Sequence, residues 1–188
     1  MVREIKDALG ASLLTFVLCA VLYPGLVWAL AQLAFPWQAE GSLITNRNRE
    51  VIGSGLIAQP FKSPKYVWPR PSAVDYKADA AGGSNLGPNH PDLHSKIDGY
   101  AQALGASAEN PAPVDLVTAS ASGLDPHLSV ESARYQAARV AAARKVSPGE
   151  VRAVIDRLTE TSGASIGAAP RVNVLKLNLA LDEAFPPA

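Results

Sequence analysis

The chain has one cysteine, one methionine and no excess of charge of either sign. Cys19 lies inside an apolar run, so the rest of the chain can form neither a disulfide nor a cysteine-based metal site. Its 17 basic and 17 acidic side chains cancel. Nucleic acid and anionic membranes bind proteins with a basic surface. This chain is neutral, so we expect no nucleic-acid partner.

A long stretch without charge is present near the N-terminus. Ala8 to Phe35 spans 28 residues without a charged side chain. At about 1.5 Å per residue, a helix of this length would extend about 42 Å, whereas the apolar core of a bilayer is about 30 Å thick. We therefore predict a cytoplasmic tail at 1–7, one transmembrane helix at 8–35 and one soluble domain at 36–188.

Two features inside the apolar run modify this interpretation. Pro24 removes a backbone donor, which predicts a kink in the helix. Ala29-Leu30-Ala31 has the small-residue pattern of a signal-peptidase site, so a cleaved signal peptide is an alternative. Against cleavage, the apolar run continues to Phe35, and Trp28 and Trp37 are typical of interface anchors.

The flanking charges predict an orientation for the helix. Arg3 and Lys6 precede the apolar run, whereas residues 36–46 contain no lysine or arginine. Basic residues remain on the cytoplasmic side, so the N-terminus should be cytoplasmic and the soluble domain extracytoplasmic.

The soluble domain should mix helices and strands, in an α/β or α+β fold. We predict helices at Pro91 to Leu104, from a Ser129 cap to Lys145, and behind the capping box Ser147-Pro148-Gly149-Glu150. We predict strands at Val51 to Ile57, Val114 to Val117, and around Val172 and Val174. The leucines from 175 to 181 imply either a bulge or a change from strand to terminal helix.

Three motifs suggest chemistry only weakly. Gly53 to Ala58 matches a dinucleotide fingerprint, but Pro60 and Pro64 prevent the helix that must follow. Gly163 to Gly167 matches a serine nucleophile elbow, although a helix precedes it and a strand should follow. His90 and His94 could share a helix face, yet no third metal ligand is evident. We therefore predict no catalytic residues and no metal site.

Two loops of small residues stand out in the soluble domain. Gly82, Gly83, Ser84 and Asn85 form a glycine-rich loop whose N–H groups could cradle an anion, although it lacks the lysine of a P-loop. Thr118 to Pro126 is rich in hydroxyl groups and is followed by His127. We interpret this second loop as a packed structural or interface loop.

The chain resembles the KdpC family, the C subunits of the bacterial Kdp potassium-transporting P-type ATPases. Many short blocks match in one order along nearly the whole chain, and Val114 to His127 is the most specific. The other blocks are Tyr23-Pro24, Phe35 to Leu43, Gly53 to Phe61, Arg70 to Ala73, Gly82 to Leu86, Arg139 to Ala141 with Ala143-Arg144, and Arg171 to Asp182. Ala58 and Ala138 depart from the glycine and the frequent proline of the family.

The resemblance implies a specific role. The chain would be the single-pass, non-catalytic subunit of a potassium uptake complex in the bacterial inner membrane. Its partners would be a channel-like potassium-translocating subunit, a P-type ATP-hydrolysing subunit and a small single-span subunit. It would support assembly and act as a catalytic chaperone that raises the ATP affinity of the hydrolytic subunit, with no firmly bound cofactor of its own.

Two alternatives concern nucleotide binding and catalysis. The resemblance makes Gly82 to Asn85 a candidate nucleotide contact, but an extracytoplasmic domain would not meet cytoplasmic ATP. A membrane-anchored envelope enzyme with a serine or histidine loop site remains the alternative function. Our candidates for partner interfaces are Tyr23, Pro24, Trp37, Ser120, Ser122, Gly123, Asp125 and His127.

Overall fold

The computed structural model describes residues 2–46, 48–161 and 167–186. The chain divides into two compact units, one ending at Leu43 and the other beginning at Ile44. The prediction of one N-terminal apolar helix followed by a mixed helix and strand domain is confirmed.

The first unit is dominated by a helix from Val2 to Ala34. It comprises α1 (Val2–Phe16), a π-helical turn (Val17–Leu22) and α2 (Tyr23–Ala34). Its most apolar window has a mean hydropathy of 2.2 and no buried residue. By length and composition this helix can cross a membrane. It begins at Val2, before the uncharged run, so that its first two turns contain the charged residues Arg3, Glu4, Lys6 and Asp7.

The helix passes through Pro24 without a break. The ring of a proline clashes with the carbonyl four residues earlier, which is that of Ala20. Ala20 lies in the π-helical turn Val17–Leu22. In a π turn the backbone hydrogen bonds join residues five positions apart instead of four. This changed spacing lets the helix accommodate the proline at this position.

The helix ends where Phe35 leaves helical geometry, with φ −139° and ψ 54°. The short helix α3 (Pro36–Ala39) follows, with proline in its first turn. Trp37 Nε1 then donates to the carbonyl of Leu43 at 2.9 Å, which fixes the turn that leaves the helix.

The second unit combines small sheets with short helices. Strands β1 (Leu43–Thr45) and β2 (Val51–Ser54) pair with each other, and β3 (His127–Ser129) pairs antiparallel with β4 (Arg171–Asn173). The helices are α4 (Pro91–Ala103), α5 (Val114–Val117), α6 (Val130–Tyr135), α7 (Ala137–Arg144), α8 (Pro148–Arg157) and α9 (Val174–Ala184).

The core of this unit lies between α7, α8 and α9 and the β3–β4 pair. Leucine, valine and isoleucine side chains with exposures of 0–2% fill it, and apolar burial of this kind is the main favourable term in folding. They are Val67, Leu128, Val140, Val151, Ile155, Val172, Leu177 and Leu181.

Several predicted elements are confirmed. α4 begins at Pro91, and α8 has the predicted capping box, with Ser147 and Glu150 bonding reciprocally. At the C-terminal end the change from strand to helix is the correct alternative. β4 ends at Asn173, whose Oδ1 accepts from Lys176 N and caps α9.

Three element predictions are wrong in detail. Val114–Val117 is a helical turn and not a strand, because four residues are too few to separate a two-residue period from a helical one. The helix predicted from Ser129 to Lys145 is divided into α6 and α7 at Gln136. β2 stops at Ser54, before the predicted end at Ile57.

Residues 55 to 90, all of which the structure describes, contain no helix or strand. A Cβ at Gly53 would collide with Gln59 and lie 2.8 Å from Leu175 Cδ2. The glycines of the fingerprint-like motif therefore permit close packing, and no helix follows to receive a pyrophosphate.

Candidate interface loops

The two small-residue loops pack directly on each other. Gly82 N donates to Ser122 O at 2.8 Å. A Cβ at Gly83 would lie 3.1 Å from Ala121 O. The glycine-rich loop therefore uses one of its N–H groups, and its lack of side chains, to lie against the backbone of residues 120–123.

Gly123 is the position where this packing is tightest. Its φ of +68° lies in the left-handed region that favours glycine. A Cβ there would lie 2.9 Å from Gly82 O, 2.6 Å from Val74 Cγ2 and 3.1 Å from Ser72 Oγ. Among the predicted interface residues, Gly123 thus has a packing role that any larger residue would disrupt.

Ser120 and Ser122 have different environments in the same loop. Ser120 is buried, and its N donates to Pro71 O at 3.3 Å. Ser122 is exposed, and its Oγ accepts from Leu124 N at 3.1 Å. Only Ser122 presents its side chain at the surface where a partner could contact it.

Ser84 lines a cavity of about 230 Å³ between the glycine-rich loop and α4. Lys96 and Tyr100 of α4 and Asp75 line the same cavity. Ser84 therefore has a basic and an acidic neighbour in one concave site, whereas Asn85 is exposed, with a positive φ of 53°.

Asp125 and His127 form a charged corner at the start of β3. Asp125 Oδ1 accepts from His127 N at 3.0 Å and lies 3.7 Å from His127 Nδ1, and Arg70 Nη1 lies 3.5 Å from Oδ2. Burial alone would raise the pKa of Asp125, but the hydrogen bonds from His127 and the charge of Arg70 outweigh it and lower that pKa. Asp125 is therefore ionised at neutral pH.

Sequence reasoning missed three members of this corner. Glu160 Oε2 lies 3.7 Å from His127 Nε2 and 3.7 Å from Arg171 Nε, and Lys176 Nζ lies 3.2 Å from Glu160 Oε1. The backbones of Glu160 and Arg171 also bond to each other at 2.8 and 3.1 Å. No spacing in the sequence could show that these residues meet, because Glu160 follows α8, Arg171 lies in β4 and Lys176 lies in α9.

Arg70 belongs to a block of the resemblance but was not chosen as a site residue. Its carbonyl accepts from Tyr76 Oη at 2.8 Å. Burial raises the pKa of Tyr76 to about 12, with smaller contributions from Tyr100 and Asp75. Tyr76 therefore stays protonated and continues to hold the backbone at Arg70.

The geometry around His127 does not build a serine nucleophile. A catalytic serine needs a base within hydrogen-bond reach. Both ring nitrogens of His127 instead lie beside carboxylates, those of Asp125 and Glu160. Most of the elbow-like motif at 163–167 lies outside the described residues.

The two histidines considered as metal ligands have separate environments. His90 Nδ1 accepts from Asp92 N at 3.2 Å and caps α4, whereas His94 is exposed. Within the described residues no group of three or more His, Cys, Asp or Glu is placed to hold a metal ion.

The remaining predicted interface residues lie in the first unit. Tyr23 and Pro24 begin α2, and the Tyr23 side chain is exposed. Trp37 lies in α3 and is exposed apart from its bond to Leu43 O. Both aromatic side chains are therefore largely exposed in the structure.

Comparison with known proteins places the whole chain in one group. The KdpC family, described as "K+-transporting ATPase, c chain", matches residues 5–183. A protein of Geobacter metallireducens named "Potassium-transporting ATPase KdpC subunit" is 46% identical over 188 residues, covering 98% of this chain and 100% of the relative. Proteins of the same name from Methylococcus capsulatus and Methylibium petroleiphilum are each 50% identical, covering 97% and 96% of this chain and 98% and 100% of those relatives.

Proposed function

The chain belongs to the KdpC family, the c chain of K+-transporting ATPases, and from this premise we propose that it is the non-catalytic accessory subunit of an ATP-driven potassium uptake complex. The observation that carries the proposal is the extent of the match. Residues 5–183 include both the apolar helix and the soluble unit. Because both the apolar helix and the soluble unit match the family, we assign the role of the relatives to the chain as a whole.

The residues of the loops support an accessory role better than an enzymatic one. His127 lies between two carboxylates, and Ser120 and Gly123 are used in packing. The alternative, a membrane-anchored envelope enzyme with a serine or histidine loop site, would need a nucleophile next to a base. The potassium-transport role is therefore the better supported of the two.

We propose three partner subunits and one topology. The partners are a channel-like potassium-translocating subunit, a P-type ATP-hydrolysing subunit and a small single-span subunit. The helix Val2–Ala34 crosses the bacterial inner membrane once, with Arg3 and Lys6 on the cytoplasmic side. The soluble unit is then extracytoplasmic. Tyr23, Pro24 and Trp37 face partner helices or lipid, and Ser122, Asp125 and His127 face a partner outside the membrane.

The chain would support assembly and raise the affinity of the hydrolytic subunit for ATP. A direct contact between Gly82–Asn85 and nucleotide would need the soluble unit to be cytoplasmic, which the charge distribution opposes. The Ser84 cavity with Lys96 is the feature that favours a direct contact. We favour an indirect effect, transmitted through the partner subunits.

Co-purification tests the proposed assembly. The chain, tagged at its C-terminus, should be recovered from detergent-solubilised membranes in a large complex with three further subunits. Mass spectrometry identifies them. Recovery of a stable monomer that hydrolyses an ester or a peptide would instead support the enzyme alternative.

Labelling with a membrane-impermeant maleimide tests the topology. In a Cys19→Ala background, Ser107→Cys should react from outside the membrane, whereas the control Val2→Cys should react only after the membrane is opened. Both residues are exposed. The reverse pattern would contradict the proposed orientation.

Kinetics of the complex separate a direct from an indirect role in ATP affinity. Ser84→Ala should leave the KM for ATP of the complex unchanged if the effect is indirect. A rise in KM with unchanged kcat would favour nucleotide contact at the glycine-rich loop, because it indicates a loss of ground-state binding. Ser107→Ala, at an exposed position in the same unit, is the control.

A further inference from the structure

One face of the β3–β4 pair, together with residues next to it, carries more basic than acidic side chains. We define the basic cluster as Arg70, His127, Arg171 and Lys176. Two carboxylates, Asp125 and Glu160, lie within 4 Å of its members. Asp125 is shared by two of the basic groups and Glu160 by three, so neither carboxylate can neutralise all of its neighbours.

The ion pairs of the basic cluster are long. Their N···O distances are 3.5 and 3.7 Å at Asp125, and 3.7, 3.7 and 3.2 Å at Glu160. Charge-assisted N–H···O hydrogen bonds are usually about 2.7–2.9 Å. The guanidinium groups of Arg70 and Arg171 are therefore only loosely engaged by the carboxylates around them.

Elsewhere the same chain builds short pairs. Arg134 Nη2 lies 2.7 Å from Asp156 Oδ1. Arg144 makes four bonds of 2.7–3.0 Å, to Asp182 and to three backbone carbonyls. The loose pairing of the basic cluster is thus a local property of that corner.

The two arginines of the corner also retain unused donors. Among the described residues, Arg70 Nε and Arg171 Nε are the buried side-chain atoms without a hydrogen-bond partner. Such atoms are uncommon in folded proteins and often indicate a water or ion that completes the site. Both belong to the forked group that recognises carboxylate or phosphate with two parallel bonds.

A cavity lies between these groups. It has a volume of about 320 Å³ and is lined by Arg70, Asp125, His127, Ser129 and Arg171, among others. The pairing of Ser129 with Arg171 and of His127 with Asn173 sets the two strands side by side under it. The cavity is large enough for one small oxyanion and opens to solvent.

We propose that this cavity binds one oxyanion group, a carboxylate or a phosphate, between the guanidinium groups of Arg70 and Arg171. Asp125 stays paired with His127 and Arg70 at one wall, so the anion approaches from the Arg171 side. The site is distinct from the Ser84 cavity and does not depend on the proposed role in potassium uptake.

Calorimetry on the full chain in neutral detergent tests the proposal. The chain is titrated with inorganic phosphate and, separately, with acetate, at constant ionic strength. Saturable binding of either is expected, and the preferred probe tells a tetrahedral from a planar ligand. Arg70→Gln and Arg171→Gln should each weaken it about tenfold or more, whereas Arg134→Gln should not change it.

Two lysine variants test the role of the forked guanidinium groups. Arg70→Lys and Arg171→Lys keep the positive charge but remove the fork, so both should bind the anion more weakly than the wild type. Absence of saturable binding by both probes, or equal binding by the wild type and the arginine variants, would overturn the proposal.

Discussion

The side chain of Asn178 holds both backbone polar atoms of Val67. Its Oδ1 accepts from Val67 N at 2.8 Å, and its Nδ2 donates to Val67 O at 2.9 Å. Gln136 does the same for the next residue, with Oε1 accepting from Trp68 N at 2.8 Å and Nε2 donating to Trp68 O at 3.0 Å. A residue of α9 and the residue between α6 and α7 thereby supply the hydrogen bonds that neighbouring strands would supply in a sheet.

These bonds explain how the proline-rich segment before α4 stays ordered without secondary structure. Buried backbone groups must be paired, and Val67 and Asn178 are almost fully buried. Arg139 adds bonds to Pro64 O and Tyr66 O and stacks on Trp68 at 3.8 Å. The segment that leads to Arg70 is therefore positioned by side chains of α7 and α9 and of Gln136, which lies between α6 and α7.

Asn178→Ala should strongly destabilise the soluble unit. It leaves the N–H and the C=O of Val67 buried and unpaired, at a cost of about 2–4 kcal/mol in the free energy of unfolding. Chemical unfolding of the purified chain in detergent measures this cost. Asn89→Ala, at an exposed position, should change it by less than about 0.5 kcal/mol, and equal effects of the two variants would contradict the role given to Asn178.

Arg144→Lys should also be costly despite conserving the charge. The Arg144 side chain is 3% exposed and bonds to Lys65 O, Leu181 O, Phe185 O and Asp182. An ammonium cannot reproduce this fork, so we expect a loss of about 2–4 kcal/mol in unfolding free energy. Arg134→Lys, in a half-exposed pair with Asp156, should cost below about 1 kcal/mol.

Gly123→Ala should disrupt the packing between the two small-residue loops. Gly105 is the matched control, because it has the same φ of +68° but open space around its missing Cβ. Gly105→Ala should cost about 1–2 kcal/mol from backbone strain alone. Gly123→Ala should cost clearly more, since its Cβ meets Gly82 O and Val74; similar thermal midpoints for both variants would show that the loop contact matters little.

Asp115 should make the stability of the soluble unit depend on acid pH. Burial raises the pKa of Asp115, but hydrogen bonds from Ser132 and Ser129 outweigh it and lower that pKa below its ordinary value. A lowered folded-state pKa gives stability that is present above the unfolded-state pKa of about 3.9 and is lost as the pH falls through the folded-state pKa.

Thermal midpoints measured from pH 6 to pH 3 test this dependence. The thermal midpoint of the wild type should exceed that of Asp115→Asn at pH 6, and this difference should disappear as the pH falls below about 4. The comparison with the variant removes the contributions of other carboxylates, including Asp125. A constant difference between the two proteins over the whole range would contradict the lowered pKa of Asp115.

The sequence by itself determined the apolar helix, the capped helices α4 and α8 and the family, because each depends on local periodicity, caps or ordered motifs. It failed at Val114–Val117, because four residues fit the period of a strand as well as that of a helix. It also failed at Gln136, which interrupts a helix and bonds to the backbone of Trp68. Only the tertiary structure decided that Gly82 and Gly83 pack on residues 121–123 and that Arg70, His127, Glu160 and Arg171 share one corner. Those relationships join residues up to 101 positions apart in the chain, and no local pattern encodes contacts that arise only when separate elements bury a common core.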